Sequence, residues 1–166
     1  MKAIGVLVAI ALANVLQTTL ARFLVGGTAA IDLVLVAVVY VALTTGPVTG
    51  MLAGSIAGVI QDSLAVPPFG IGGLAKTIVG FFVGAIGQQF IVTAALPRLV
   101  TFVAATMLHS AVFIGLHAAL NLRSFPSPWA GVLSQALGNA VVGMVAFAIV
   151  ESVPGFIERR RGRRRR

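Results

Sequence analysis

The sequence contains no cysteine and only four acidic residues among its 166 positions. The absence of cysteine excludes disulfides, thiolate metal sites and cysteine nucleophiles, and it carries no information about the cellular compartment. Charged residues make up 10% of the chain, whereas about a quarter is usual for a soluble domain, and 58% of the residues are hydrophobic. Because so little polar surface is available to face water, the composition predicts a protein embedded in a lipid bilayer.

Sequence motifs for catalysis are also missing. The chain has no Gly-x-Ser-x-Gly, no Walker loop and no His-Glu-x-x-His, and its carboxylates are too scattered for a paired acid–base site. His109 and His117 are eight positions apart, which is not a zinc-binding spacing. We therefore expect no enzymatic activity, no metal and no other cofactor.

Six apolar segments alternate with helix breakers. They predict helices over residues 3–21, 31–45, 48–66, 71–93, 99–120 and 129–150. A helix needs about 20 mostly apolar residues to cross the hydrocarbon core, and the second segment is short by that measure. Gly46-Pro47 separates the second and third segments, which could alternatively form one long broken helix. The first segment continues past Asn14 to Leu24, so we expect a spanning helix there rather than a cleaved signal peptide. The prediction is an all-α, polytopic membrane protein in which residues 1–157 form one six-helix domain.

Lysine and arginine are distributed unevenly over the predicted loops. With six spans both termini lie on one side, which holds Lys2, Arg98 and the C-terminal segment 158–166, whereas the other side holds only Arg22 and Arg123. Because positively charged loops stay in the cytoplasm, we expect both termini there. The basic tail consists of Arg159, Arg160, Arg161, Arg163, Arg164, Arg165 and Arg166. We expect this tail to anchor the topology and to contact anionic lipids, with an acidic protein partner as the alternative and without binding nucleic acid.

Small residues recur at every fourth position in the third and fourth predicted helices. The first series is Gly46, Gly50, Gly54, Gly58 and Asp62, and the second is Gly72, Lys76, Gly80, Gly84 and Gln88. Residues four apart lie on one face of a helix, and a glycine face allows two helix backbones to approach closely. We expect helix packing at Gly46, Gly50, Gly54, Gly58, Gly80 and Gly84.

Asp62 and Lys76 lie on opposite sides of the predicted turn between the third and fourth helices. With a rise of about 1.5 Å per residue, their side chains would have similar depth and could form an intramembrane charge pair. Pairing offsets the cost of about 2.5–3.5 kcal/mol for a charge near the middle of a membrane helix. The pair would be either a functional site or a structural salt bridge, and both interpretations stay open.

Other polar residues in the apolar segments have simpler interpretations. Asp32 precedes the second helix, where a carboxylate stabilises a helix N-terminus, and this role requires no functional explanation. Side chains that can form hydrogen bonds between helices are Asn14, Gln17, His109, His117, Gln135 and Asn139.

Several motifs together resemble one family. Gln17-Thr18-Thr19, Asp32-Leu33, the series from Gly50 to Asp62, Phe69-Gly70 and the segment from Lys76 to Gly80 resemble MreD, the small rod shape-determining membrane protein of bacterial elongation. The motifs lie in the first half of the chain, and the second half agrees in hydropathy and length. The resemblance implies a non-enzymatic subunit in the bacterial cytoplasmic (inner) membrane. It further implies binding to an MreC-like protein, and through it to an MreB-like filament, a RodA-like glycan polymerase and a penicillin-binding transpeptidase, which together organise peptidoglycan synthesis and cell shape.

A second interpretation comes from a different class of protein. Substrate-binding subunits of energy-coupling factor transporters are also small six-helix proteins with glycine-rich helices, and MreD-like proteins resemble them in architecture. A vitamin-binding subunit should carry a polar cluster and a long outer loop, whereas the connections at 25–30 and 121–128 are short. This favours the scaffold interpretation, with a small-molecule-binding transporter subunit as the alternative.

Overall fold

Six α-helices form the described part of the chain in the computed structural model, which covers residues 3–23, 31–64, 70–90, 94–122 and 128–163. The helices are α1 (Ala3–Phe23), α2 (Leu33–Thr45), α3 (Pro47–Ser63), α4 (Ile71–Gln89), α5 (Ala95–Ala119) and α6 (Trp129–Arg163). No strand occurs in these residues. The helices α4 and α5 and the segment Trp129–Ser152 of α6 are long and apolar enough to cross a membrane, and shorter apolar stretches occupy Ile4–Thr19 and Leu33–Thr45. The all-helical class is confirmed, whereas the number of spans stays a prediction.

The turn between α2 and α3 separates them into two helices rather than one broken helix. Gly46 has a φ of +96°, a conformation that glycine adopts without steric cost. Its N–H donates to the carbonyl oxygen of Ala42 at 2.9 Å, and its own carbonyl accepts from the N–H of Gly50 at 2.9 Å. Pro47 begins α3, where its missing N–H leaves no hydrogen bond unmade. The two helices therefore fold back on each other as a tight hairpin.

Several helix ends differ from the sequence prediction, among them the start of α5 and the end of α6. α5 begins at Ala95 instead of residue 99, because Pro97 lies in the first turn, where proline is tolerated. α6 continues to Arg163 instead of ending at residue 150, so Pro154 does not terminate it. Apolar runs measure the membrane-embedded stretch, and a helix can continue beyond that stretch into polar sequence.

The core of the molecule lies around α2 and α4. α4 contacts α2, α3 and α5, whereas α1 packs on α2 and α3, and α6 packs on α5 and α2. One buried cluster joins α2, α4, α5 and α6 through residues such as Val39, Val79, Phe102 and Phe147. A second cluster joins α1, α2 and α3. Large apolar side chains cover the outward faces, which is the arrangement expected for a protein with lipid as its solvent.

Candidate functional site

A buried cluster of ionisable side chains lies where α2, α4 and α5 meet. Lys76, in the second turn of α4, is only 3% exposed, and its Nζ lies 2.8 Å from Oδ2 of Asp32. The same Nζ lies 3.3 Å from Nε2 of His109 on α5. Because a charged lysine can only donate hydrogen bonds, Nε2 of His109 is the acceptor in this contact. The cluster thus brings a carboxylate, an amine and an imidazole into contact away from water.

Asp32 joins this cluster while also capping α2. Its Oδ1 accepts a hydrogen bond from the N–H of Leu35 at 2.9 Å, which is the N-cap geometry expected for an aspartate at this position. The cap alone was predicted, and the ion pair with Lys76 was not. A carboxylate that receives both a backbone hydrogen bond and an ammonium compensates for its loss of water more fully than either contact would alone.

Amide side chains from α1 and α6 complete the cluster by binding the backbone at the start of α2. Gln17 on α1 donates from Nε2 to the carbonyl of Ile31 at 3.2 Å and accepts at Oε1 from the N–H of Leu33 at 2.8 Å. Asn139 on α6 accepts at Oδ1 from the N–H of Asp32 at 2.8 Å. We call Gln17, Asp32, Lys76, Thr106, His109 and Asn139 the polar network; Thr106 enters it by accepting from Nδ2 of Asn139 at 3.1 Å.

The prediction of a charge pair between Asp62 and Lys76 is wrong, because Lys76 pairs with Asp32 instead. Oδ2 of Asp62 accepts hydrogen bonds from the N–H groups of Gly70 and Gly73, both at 2.9 Å. These N–H groups belong to the first turn of α4 and have no partner within that helix, so Asp62 caps α4 from the end of α3.

The predicted pair does not form because α3 ends earlier than expected. The sequence placed this end at residue 66, whereas the helix stops at Ser63, only one residue after Asp62. The backbone of Lys76 lies against Gly54, which is eight residues, or about 12 Å of helix rise, from Asp62. Lys76 is therefore too deep in the bundle for Asp62 to reach.

The glycine series forms the contact between α3 and α4. A Cβ added at Gly50 would overlap the carbonyl oxygen of Gly80, and one added at Gly54 would overlap that of Lys76. Gly58 lies against Gly73 in the same antiparallel register, Gly84 lies against Pro47, and Gly46 lies beside Gln88. Because Gly54 brings the two backbones into contact at Lys76, the glycine face sets the height at which the lysine side chain enters the bundle.

Two of the other predicted polar residues, Asn14 and His117, form hydrogen bonds within their own helices. Nδ2 of Asn14 bonds the carbonyl of Ile10 in its own helix, and Oδ1 of this buried amide has no partner among the described residues. Nδ1 of His117 lies 2.8 Å from the carbonyl of Phe113, also in its own helix. Gln135 lies on α6 one turn before Asn139. The side chains of the basic tail fall outside the described residues, as do Arg164, Arg165 and Arg166 altogether.

Comparison with known families identifies the group to which the chain belongs. A family model described as rod shape-determining protein MreD matches residues 2–150. This chain belongs to the MreD family. Comparisons with curated proteins and with solved structures gave no match. The segment that matches MreD contains the whole polar network and the glycine contact, and it stops before the basic tail. The membership assigns the protein to the membrane-bound determinants of rod shape.

Proposed function

We propose that this MreD-family protein is a non-enzymatic subunit of the bacterial rod complex that binds an MreC-like protein and helps organise peptidoglycan synthesis and cell shape. The observation that carries the proposal is the family match over residues 2–150, which covers α1 to α5 and residues 129–150 of α6. Through the MreC-like protein, the subunit would connect to the RodA-like polymerase, the penicillin-binding transpeptidase and the MreB-like filament.

The internal contacts support a role in holding partners. The polar network binds α1, α2, α4, α5 and α6 to one another, and the glycine contact binds α3 to α4. Contacts of this kind hold the outward faces of the helices at constant relative positions. A subunit that aligns other membrane proteins needs such faces, because partner helices dock through close complementary packing in lipid.

The proposed topology has six spans, with both termini in the cytoplasm of the bacterial inner membrane. Arg98 near the start of α5 lies 2.6 Å from Glu151 of α6, in agreement with an arrangement that has the Arg98 loop and the basic tail on one side. The basic tail would then contact anionic lipids of the cytoplasmic leaflet. Since the native chain has no cysteine, single cysteines can be introduced near each end of a helix and tested for labelling from either side of the membrane.

The test of partner binding is co-purification from bacterial membranes. The tagged protein is expressed together with the MreC-like protein of the same bacterium and extracted in a mild detergent, with an unrelated single-span protein as the control. We expect the MreC-like protein to be retained and the control protein to be lost. Equal loss of both would contradict the proposal. Recovery of an ATPase module with a bound vitamin would instead support the transporter alternative.

A further inference from the structure

A groove on the outer surface of α1 and α3 is unrelated to the polar network. It has a volume of about 530 Å³, within the range of about 300–1,000 Å³ typical of small-molecule sites, and it is open sideways. α1 forms one wall, α3 forms the other, and the end of α2 closes it at the Gly46 turn. The groove therefore opens directly toward the space that lipid occupies around a membrane helix bundle.

The two ends of the groove differ in chemistry. Thr44, Thr45 and Thr49 line the end at the α2–α3 turn, where the chain reverses direction. Ile10, Ala53 and Ile56 line the other end, farther along the helices. Hydroxyl groups at a helix-connecting turn followed by hydrocarbon deeper in the bundle match the order of chemistry along a glycerolipid, whose ester groups lie above its acyl chains.

The hydroxyl of Thr49 can donate a hydrogen bond to a lipid ester, whereas those of Thr44 and Thr45 already donate within α2. Oγ1 of Thr45 donates to the carbonyl of Val41 at 2.6 Å, and Oγ1 of Thr44 bonds the carbonyl of Tyr40 at 2.9 Å. The hydroxyl of Thr49 makes no hydrogen bond within the described residues, although it lies in the first turn of α3. Ester oxygens only accept hydrogen bonds, so an unpaired O–H at this depth matches that class of ligand.

The dimensions distinguish a lipid from a docked transmembrane helix. From Thr49 to Ile56 the groove follows about two turns of α3, which is about 10 Å, whereas a spanning helix would cross the whole hydrocarbon thickness of about 30 Å. One leaflet accounts for half of that thickness, about 15 Å, so a groove of this length matches a lipid of one leaflet better than a helix that crosses both.

We infer that this groove binds one glycerophospholipid, with its ester groups at Thr49 and its acyl chains along Ile56 and Ile10. The site lies in the leaflet that contains the α2–α3 turn, which under the proposed topology is the cytoplasmic leaflet. Only that assignment of leaflet rests on the proposed function. The binding itself follows from the groove and would hold for any role of the protein in the membrane.

Native mass spectrometry of the full chain measures this binding. The protein is purified in detergent, stripped of loosely held lipid, and titrated with phosphatidylethanolamine and phosphatidylglycerol. Thr49→Phe fills the groove, and Leu52→Trp is a second filling variant on a side chain that is 52% exposed. Thr49→Val removes the hydroxyl without changing the volume. Val141→Phe, at a position of α6 that is 62% exposed, is the matched control for added bulk on a lipid-facing surface. Thermal unfolding in the same detergent establishes that each variant is folded.

We expect the wild type and Val141→Phe to retain one lipid per chain, and both filling variants to lose it. Thr49→Val should weaken binding about fivefold, which corresponds to one hydrogen bond of about 1 kcal/mol. Equal retention by the wild type and the folded filling variants would overturn the inference, as would a wild type that retains no lipid. Cross-linking of Thr49→Cys to the transmembrane helix of the MreC-like protein would identify a protein occupant and would also overturn it. Co-purification of that protein is measured separately, so failure of lipid binding leaves the proposed function standing.

Discussion

Replacing Asp32 by asparagine isolates the contribution of the buried ion pair. Asparagine is as good an N-cap as aspartate, so the cap on α2 is kept while the negative charge is lost. Lys76 would then be a buried ammonium without its counter-ion, because the paired side chains are only 4% and 8% exposed. Removing one partner of a buried pair costs about 3–5 kcal/mol, a large part of the roughly 5–15 kcal/mol that stabilises a typical fold.

The companion variant Lys76→Met shows whether the cost comes from the pair itself. Methionine keeps the long side chain while removing the charge, and in the double variant Asp32→Asn/Lys76→Met neither charge is left alone. We expect the double variant to be more stable than Asp32→Asn and the two changes to couple by about 2–3 kcal/mol, since the residues are in direct contact.

Asp62→Asn is the control, because it removes a carboxylate that the structure places away from Lys76. Its amide oxygen can still accept from Gly70 and Gly73, so the loss should be about 1 kcal/mol. Combined with Lys76→Met, it should be additive within about 0.5 kcal/mol.

Unfolding in mixed micelles of a mild detergent and dodecyl sulfate, followed by circular dichroism, gives these free energies. The reasoning is refuted if Asp32→Asn costs less than about 1 kcal/mol, far below the cost of breaking a buried ion pair. It is equally refuted if Lys76→Met couples to Asp62→Asn rather than to Asp32→Asn.

Two further changes test the contacts around the ion pair by the same unfolding measurement. Gly54→Ala should destabilise the fold by about 3 kcal/mol or more, because the added Cβ would overlap the carbonyl of Lys76. The control Gly115→Ala has open space around it and should stabilise the fold by about 0.5–1 kcal/mol. Similar effects at the two sites would contradict the close α3–α4 contact. Asn139→Leu should lower the free energy of unfolding by about 1–3 kcal/mol, because it leaves the N–H of Asp32 without an acceptor. The control Ser134→Ala, at an exposed position of the same helix, should have an effect near zero. A loss for Asn139→Leu no larger than that of the control would show that Asn139 does not stabilise the network.

The helical class could be predicted from sequence because it depends on local properties of the chain. Long apolar runs, the Gly46-Pro47 turn and the scarcity of charge each indicate membrane helices without reference to distant residues. Helix ends were less accessible, since apolar runs report the hydrophobic stretch and not the last hydrogen-bonded turn. Pro97 in the first turn of α5 and the continuation of α6 to Arg163 illustrate this difference.

The members of the polar network were easier to predict than their partners. Gln17, Lys76, His109 and Asn139 stand out as polar residues in apolar segments, but the choice of partner depends on how α5 and α6 pack against α2. Asp32 was interpreted as a cap alone. The predicted topology places the start of the second helix and the start of the fourth on the same side of the membrane. That placement puts Asp32 as well as Asp62 at the same end of the bundle as Lys76, and the choice between the two carboxylates depends on how α2 packs against α4.

The two kinds of internal contact hold together different parts of the chain. α3 and α4 are neighbours in sequence, and their association uses backbone contact at glycines, which requires a continuous stripe on each helix but no charged group. The association of α5 and α6 with the rest uses hydrogen bonds over longer separations, 33 residues between Lys76 and His109 and 107 between Asp32 and Asn139. In lipid, apolar side chains are nearly as well solvated outside a bundle as inside it, so apolar packing alone specifies such distant pairings weakly. A buried charge finds compensation at few places, and the polar network therefore supplies the specificity that determines how α5 and α6 dock on the α2–α4 core.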